Sequence, residues 1–68
     1  MTLHVLRKGA EARSCESRVS ADGTRFEVVV NRDGMTHVES FSSLEAMLIR
    51  ERQLVGAWGA HGWRKDRE

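Results

Sequence analysis

Two strand-like runs, Arg25–Val30 and the weaker Met35–Ser40, flank the four residues Asn31-Arg32-Asp33-Gly34. The first is rich in β-branched residues, and the intervening residues carry turn chemistry: asparagine at the first position bonds its own backbone onward, and glycine at the fourth tolerates a left-handed conformation. The pattern predicts a hairpin closed by a type I turn and a bulge. With Arg32, Asp33 and Gly34 as the loop, Asn31 faces Met35. Phe26, Val28 and Val30 then share a face with Thr36, Val38 and Ser40, and Arg25, Glu27, Val29, Met35, His37 and Glu39 take the other. A two-residue loop would set His37 and Glu39 beside Phe26 and Val28, and burying those groups without partners costs energy, so the bulged register is expected.

After Phe41 the period changes. Leu44, Met47, Leu48, Leu54, Val55 and Trp58 fall on one stripe at 3.6 residues per turn, predicting a helix on the Phe26 face of the sheet. Ser42-Ser43-Leu44-Glu45 fits a capping box that starts at Ser42. Gly62 suits the left-handed position after a helix, a motif that would return Trp63 onto Trp58. Gly56 and Gly59 each cost about 1 kcal/mol relative to alanine, so the last turns are expected to fray or stop at Gly59. Glu51 interrupts the apolar stripe and has no basic residue four positions away. Either it meets a cation from the sheet or the N-terminal arm, or the stripe runs past the sheet edge into water; the second is expected, because lone burial of a charge is too costly.

Upstream, Cys15, Ser17 and Val19 alternate with Glu16, Arg18 and Ser20 before the turn Ala21-Asp22-Gly23, which predicts a first strand over residues 14–20. The expected fold class is α+β: a three-stranded antiparallel meander, with Leu3–Leu6 as a candidate fourth strand, and one C-terminal helix packed on one face. Residues 1–13 read as a partly ordered arm or short edge strand, 14–63 as the single α+β domain, and 64–68 as a charged tail.

Sixty-eight residues bury only about 60% of the surface that the unfolded chain exposes, so the core is small and Phe26, Phe41, Trp58 and Trp63 are expected to fill much of it. A lone Cys15 excludes an intramolecular disulfide. Together with the absence of a signal-like or membrane-spanning apolar run, it points to a cytoplasmic protein. Eleven basic and ten acidic residues give a net charge of +1, which is not the footprint of an obligate nucleic-acid binder.

Candidate chemistry is sparse. His4, Cys15, His37 and His61 are metal-capable, but none is paired at a spacing that builds a zinc site, and no metal or cofactor is expected. Arg18 near Cys15 could activate a thiol, yet no nucleophile elbow is present and a single sheet with one helix offers little concave volume, so no catalytic residue is assigned and the chain is expected not to be an enzyme. Arg18, Arg25, Arg32 and Lys65 could gather on one edge, but the free sheet face carries Glu27 and Glu39 and no stacking aromatic. The second stripe of the helix, Ala46, Ile49, Gln53, Gly56, Ala57 and Ala60, is small and uncharged, and Ile49, Gln53, Gly56 and Ala57 are the candidate partner contact, including that of a weak homodimer.

The Asp33-Gly34 turn, the Phe41-Ser42 helix entry and the Gly62-Trp63 close resemble those of small uncharacterised bacterial hairpin-helix proteins. That resemblance spans about two thirds of the chain and implies the hairpin-helix fold; it implies no activity. The function expected is a small non-enzymatic cytoplasmic protein-interaction module with a protein partner and no membrane. The alternative is a weak nucleic-acid-binding protein using the free sheet face and basic residues.

Overall fold

A computed structural model describes residues 2–66; Met1 and the Arg67-Glu68 end of the charged tail lie outside the described residues. The elements are β1 (Thr2–Lys8), β2 (Glu11–Val19), β3 (Phe26–Arg32), β4 (Met35–Phe41), α1 (Leu44–Ala60) and β5 (Arg64–Lys65). The strands form one antiparallel sheet in the order β4-β3-β2-β1-β5, and α1 lies on one face, mainly over β2, β3 and β4. The class is α+β, with five strands where the residue pattern suggests three and a candidate fourth. The segment read as an arm supplies β1, which is internal, and β2 begins at Glu11 rather than Ser14.

Local chemistry explains the turns. β1 and β2 are joined by two residues, with Gly9 at φ 63 in the position where a type II′ hairpin takes glycine. The link from β2 to β3 is knitted by Asp22, whose carboxylate accepts from Ser20 Oγ at 2.7 Å, Thr24 Oγ1 at 2.8 Å and the Thr24 amide at 3.1 Å. Those bonds, the Ser20 one first, hold its pKa down at about 2.

The β3–β4 hairpin corrects the expected register. Asp33 (φ 53) and Gly34 (φ 73) are both left-handed, and Arg32 pairs with Met35. The loop therefore has two residues in the type I′ manner, for which Asp-Gly is a preferred pair. His37 and Glu39 consequently lie on the helix side, opposite Val30 and Val28, while Thr36, Val38 and Ser40 lie on the open side. The cost that argued against this register is met by partners. Arg50 of α1 donates to both Glu39 carboxylate oxygens, at 2.9 and 3.1 Å, and this bond raises the Arg50 pKa; His37 remains exposed near the end of the strand.

Helix α1 starts one residue later than the capping box suggested. Ser43, extended at φ −133 and ψ 148, is the N-cap, and its hydroxyl accepts from the Ala46 amide at 3.1 Å. The helix continues through Gly56 and Gly59 to Ala60, then closes in a Schellman motif: the Trp63 amide donates to the Trp58 carbonyl at 3.0 Å, and the Gly62 amide (φ 93) donates to the Gly59 carbonyl at 3.1 Å. Lys8 Nζ adds a bond to the exposed His61 carbonyl at 2.8 Å, placing a cation at the helix C-terminus. This reversal tucks Trp63 into the core and delivers Arg64–Lys65 to the edge of β1, where the Asp66 amide bonds the Val5 carbonyl at 2.8 Å and Arg7 pairs with Asp66.

Between helix and sheet sit Leu6, Cys15, Val28, Val30, Met47, Trp58 and Trp63, with Phe26, Phe41, Leu54 and Val55 packed against them. Arg13 of β2 lies over both indoles, its guanidinium carbon 3.9 Å from the Trp63 ring centre and 5.2 Å from that of Trp58. This arrangement covers aromatic faces with a cation–π contact. The buried stripe of α1 runs Met47, Glu51, Trp58, whereas Leu44 and Leu48 remain 42% and 39% exposed. Glu51 does not project into water: it is 7% exposed, and its Oε2 lies 3.2 Å from His4 Nε2. β1 brings the imidazole there, so the partner comes from the segment read as an arm.

Candidate interaction surface

Alternation along each strand divides the sheet into a covered face and an open one, and no other described element packs over the open face. Across its middle runs the row Leu3, Glu16, Val29, Val38, each residue opposite the next on the neighbouring strand. Leu3 and Val38 are exposed at 61% and 51%, while Val29 is buried between its neighbours. Beside this row a polar ladder crosses three strands: Thr36 Oγ1 donates to Asn31 Oδ1, and Asn31 Nδ2 reaches Ser14 Oγ at 3.4 Å. These residues, with Val5, Ala12 and the β3–β4 turn, line a depression of about 500 Å³.

The border of this face at β4 is an unpaired strand edge. The turn places Arg32 and Met35 as a hydrogen-bonded pair, and such pairs alternate along an antiparallel ladder. Met35, His37, Glu39 and Phe41 thus bond to β3, whereas the backbone N–H and C=O groups of Thr36, Val38 and Ser40 point away from the sheet. Natural edges are commonly blunted by lysine, proline or a bulge. β4 contains neither residue and pairs with β3 without a break, and its one charged residue, Glu39, is engaged by Arg50 on the helix side.

No family model, curated protein or solved structure matches the chain. Of the three short motifs singled out in the sequence, Asp33-Gly34 is the β3–β4 loop and Gly62-Trp63 the close of α1.

The residues singled out for chemistry do not converge. His4 and Cys15 are cross-strand neighbours under the helix, His37 lies on β4 and His61 caps α1. Among the described residues no group of three or more histidine, cysteine or acidic side chains could hold a metal ion. Cys15 is fully buried, and burial first, then the Glu51 carboxylate, push its thiol up to about 11. That is opposite to the environment of an activated nucleophile. The His4–Glu51 pair lines a cleft of about 340 Å³ with Leu48, Arg52, Val55 and Gly56.

The four basic residues are dispersed, and Arg18 and Arg25 are engaged. Arg18 pairs with Glu27 at 2.8 Å, Arg25 donates to Ser40 Oγ at 2.7 Å, Arg32 borders the turn and Lys65 lies on β5 at the other sheet edge. Glu39, expected on the open face, is on the helix side; the open face instead carries Glu16 and Glu27. All four aromatic residues belong to the core or pack against it, which leaves the open face no stacking platform. The predicted helix contact, Ile49, Gln53, Gly56 and Ala57, is exposed. Arg50 marks the flank of α1 that leans toward β4 and Glu51 the flank that leans toward β1. At 100° per residue Gln53 and Ala57 fall on the Arg50 flank, above the β4 edge, while Ile49 and Gly56 point away from the sheet.

Sequence reasoning missed the edge as a contact surface because the assumed bulge turned Val38 inward. The Asp33-Gly34 pair was the available signal, since two consecutive residues that tolerate positive φ favour the two-residue loop.

Proposed function

We propose that the chain is a small non-enzymatic protein-interaction module of the cytoplasm, binding a partner through the β4 edge and the adjoining open sheet face. The observation that carries this reading is the unguarded edge, with the outward backbone groups of Thr36, Val38 and Ser40 beside the exposed Val38 side chain. Strand addition would satisfy those groups, and side chains at alternate positions would supply selectivity. The exposed Ile49, Gln53, Gly56 and Ala57 offer a second contact on the helix above. A cytoplasmic setting is supported by the free, buried thiol of Cys15. Among the described residues no helix is long and apolar enough to cross a membrane.

Nucleic-acid binding is the weaker proposal. A phosphate backbone would have to displace the carboxylate or hydroxyl neighbours of Arg18 and Arg25, and bases would find no aromatic ring on the open face.

The test is a photo-crosslinking residue introduced in place of Val38 in cells, with one in place of Arg52, on the β1 side of the helix, as control. Adducts from position 38 and none from position 52 are expected. Absence of any adduct at position 38 would overturn the assignment of the edge.

A further inference from the structure

We infer that the strand accepted by β4 is the β4 of a second copy, paired antiparallel about a twofold axis through Val38; this rests on the reading of β4 as the contact edge. Isologous pairing requires each residue to suit the one facing it. With the axis at Val38, Met35 faces Phe41 of the second copy, Thr36 faces Ser40, His37 faces Glu39 and Val38 faces Val38. Every pair is matched: a thioether with an aromatic ring, two hydroxyls, an imidazole with a carboxylate, and two valines.

The backbone is in register with the side chains. An antiparallel edge forms close hydrogen-bonded pairs only where both strands turn their N–H and C=O groups outward. On β4 those residues are Thr36, Val38 and Ser40, so these must face one another and the axis lies at a residue from 36 to 40. At Thr36 the pairing would set Val38 against Gly34, and at Ser40 it would set Glu39 against Phe41. An axis at Glu39 would oppose two carboxylates and set Thr36 against Ser42, and one at His37 would oppose two imidazoles and set Ser40 against Gly34. Only Val38, the midpoint of Met35–Phe41, uses the whole strand and all three outward residues, for about six interchain hydrogen bonds.

Both faces remain consistent. His37 and the second copy's Glu39 meet on the helix side, where Glu39 is already held by Arg50 and His37 is exposed. On the open side the two Val38 side chains join the Val29–Val38 pairs of both copies into one apolar patch at the centre of a continuous sheet, five strands from each copy. Two otherwise open edges are thereby removed.

Sedimentation equilibrium from about 10 to about 500 µM, a range that spans weak association, tests the inference. The weight-average mass of the wild-type chain should climb from 7.7 kDa toward twice that value. Val38→Lys, at a half-exposed position, should fold with an unchanged circular dichroism spectrum and stay at the monomer mass, because it opposes two like charges at the axis. His37→Glu, which sets carboxylates against Glu39 of the other copy, should weaken association at least tenfold, and it serves should Val38→Lys fail to fold. Arg52→Ala, on the β1 side of the helix, should associate as wild type does. A wild-type mass that never leaves the monomer value, or a dimer indifferent to both β4 variants, overturns the inference. In the first case, crosslinking of position 38 to a larger partner keeps the edge reading and removes the second copy as its occupant. Absence of crosslinks removes both.

Discussion

Glu51 offers a sharp test of how this small core is held, because replacing a buried charge with a hydrocarbon should do no harm. Its carboxylate is 7% exposed, Oε2 makes no hydrogen bond of good geometry, and its ionic partner is His4 Nε2 at 3.2 Å. With a protonated imidazole, Coulomb attraction at that distance is worth about 5 kcal/mol at an effective dielectric of about 20. Desolvating the carboxylate costs several kcal/mol, so the pair contributes little net stability. Glu51→Leu removes both terms and adds apolar surface beside the core; it should be neutral or stabilising by up to about 2 kcal/mol. His4→Ala leaves the carboxylate buried without its partner and should cost about 1–3 kcal/mol. Domains of this size draw only about 3–5 kcal/mol from a single core, so that loss lowers the melting temperature by roughly 4–8 °C per kcal/mol. In the Glu51→Leu background the same His4→Ala change should cost at least about 1 kcal/mol less, the difference being the coupling energy. Urea unfolding followed by the fluorescence of the buried Trp58 and Trp63 reads all four corners of the cycle. A Glu51→Leu penalty above about 2 kcal/mol, or strict additivity of the two changes, would refute the reasoning.

Three further outcomes follow from local chemistry. Ser43→Ala should lower stability by about 1 kcal/mol, because the Ala46 amide loses its acceptor, while Ser42→Ala leaves stability within about 0.5 kcal/mol of wild type; the reverse order would move the cap back to Ser42. Gly34→Val should destabilise by about 1–2 kcal/mol or more, since a β-branched residue resists φ 73, and a neutral effect in the same urea assay would refute the two-residue turn. Cys15 should resist iodoacetamide at neutral pH until the chain unfolds, because its thiol is fully buried and titrates near 11; labelling of the native chain at the rate of a free cysteine would contradict that.

The limits of the residue pattern trace to two side-chain pairs between helix and sheet. The hairpin itself, the amphipathic helix, its Gly62 close and the Trp58–Trp63 core were legible, because turn chemistry and periodicity are local signals. The hairpin register was not, because the argument for a bulge treated Glu39 as unpartnered and could not see Arg50, eleven residues on, reaching back across the sheet. The same blindness sent Glu51 into solvent: its partner His4 lies on a strand whose weak alternation and Gly9 made it look like an arm. Arg13 went unnoticed for the same reason, since nothing near it in sequence indicates that two tryptophans from the far end will cover its guanidinium. The candidate interaction edge inherited the register error, because turning Val38 outward is what defines it.

Amide hydrogen exchange of β4, residue by residue and as a function of protein concentration, tests the central claim most directly. At about 10 µM the amides of His37 and Glu39 should be protected by β3 while those of Thr36, Val38 and Ser40 exchange freely; at about 500 µM the latter three should gain protection together. Thr36, Val38 and Ser40 amides that exchange at one rate across that range, or that are already protected when dilute, would contradict the account of β4 as an open edge that pairs with a second strand.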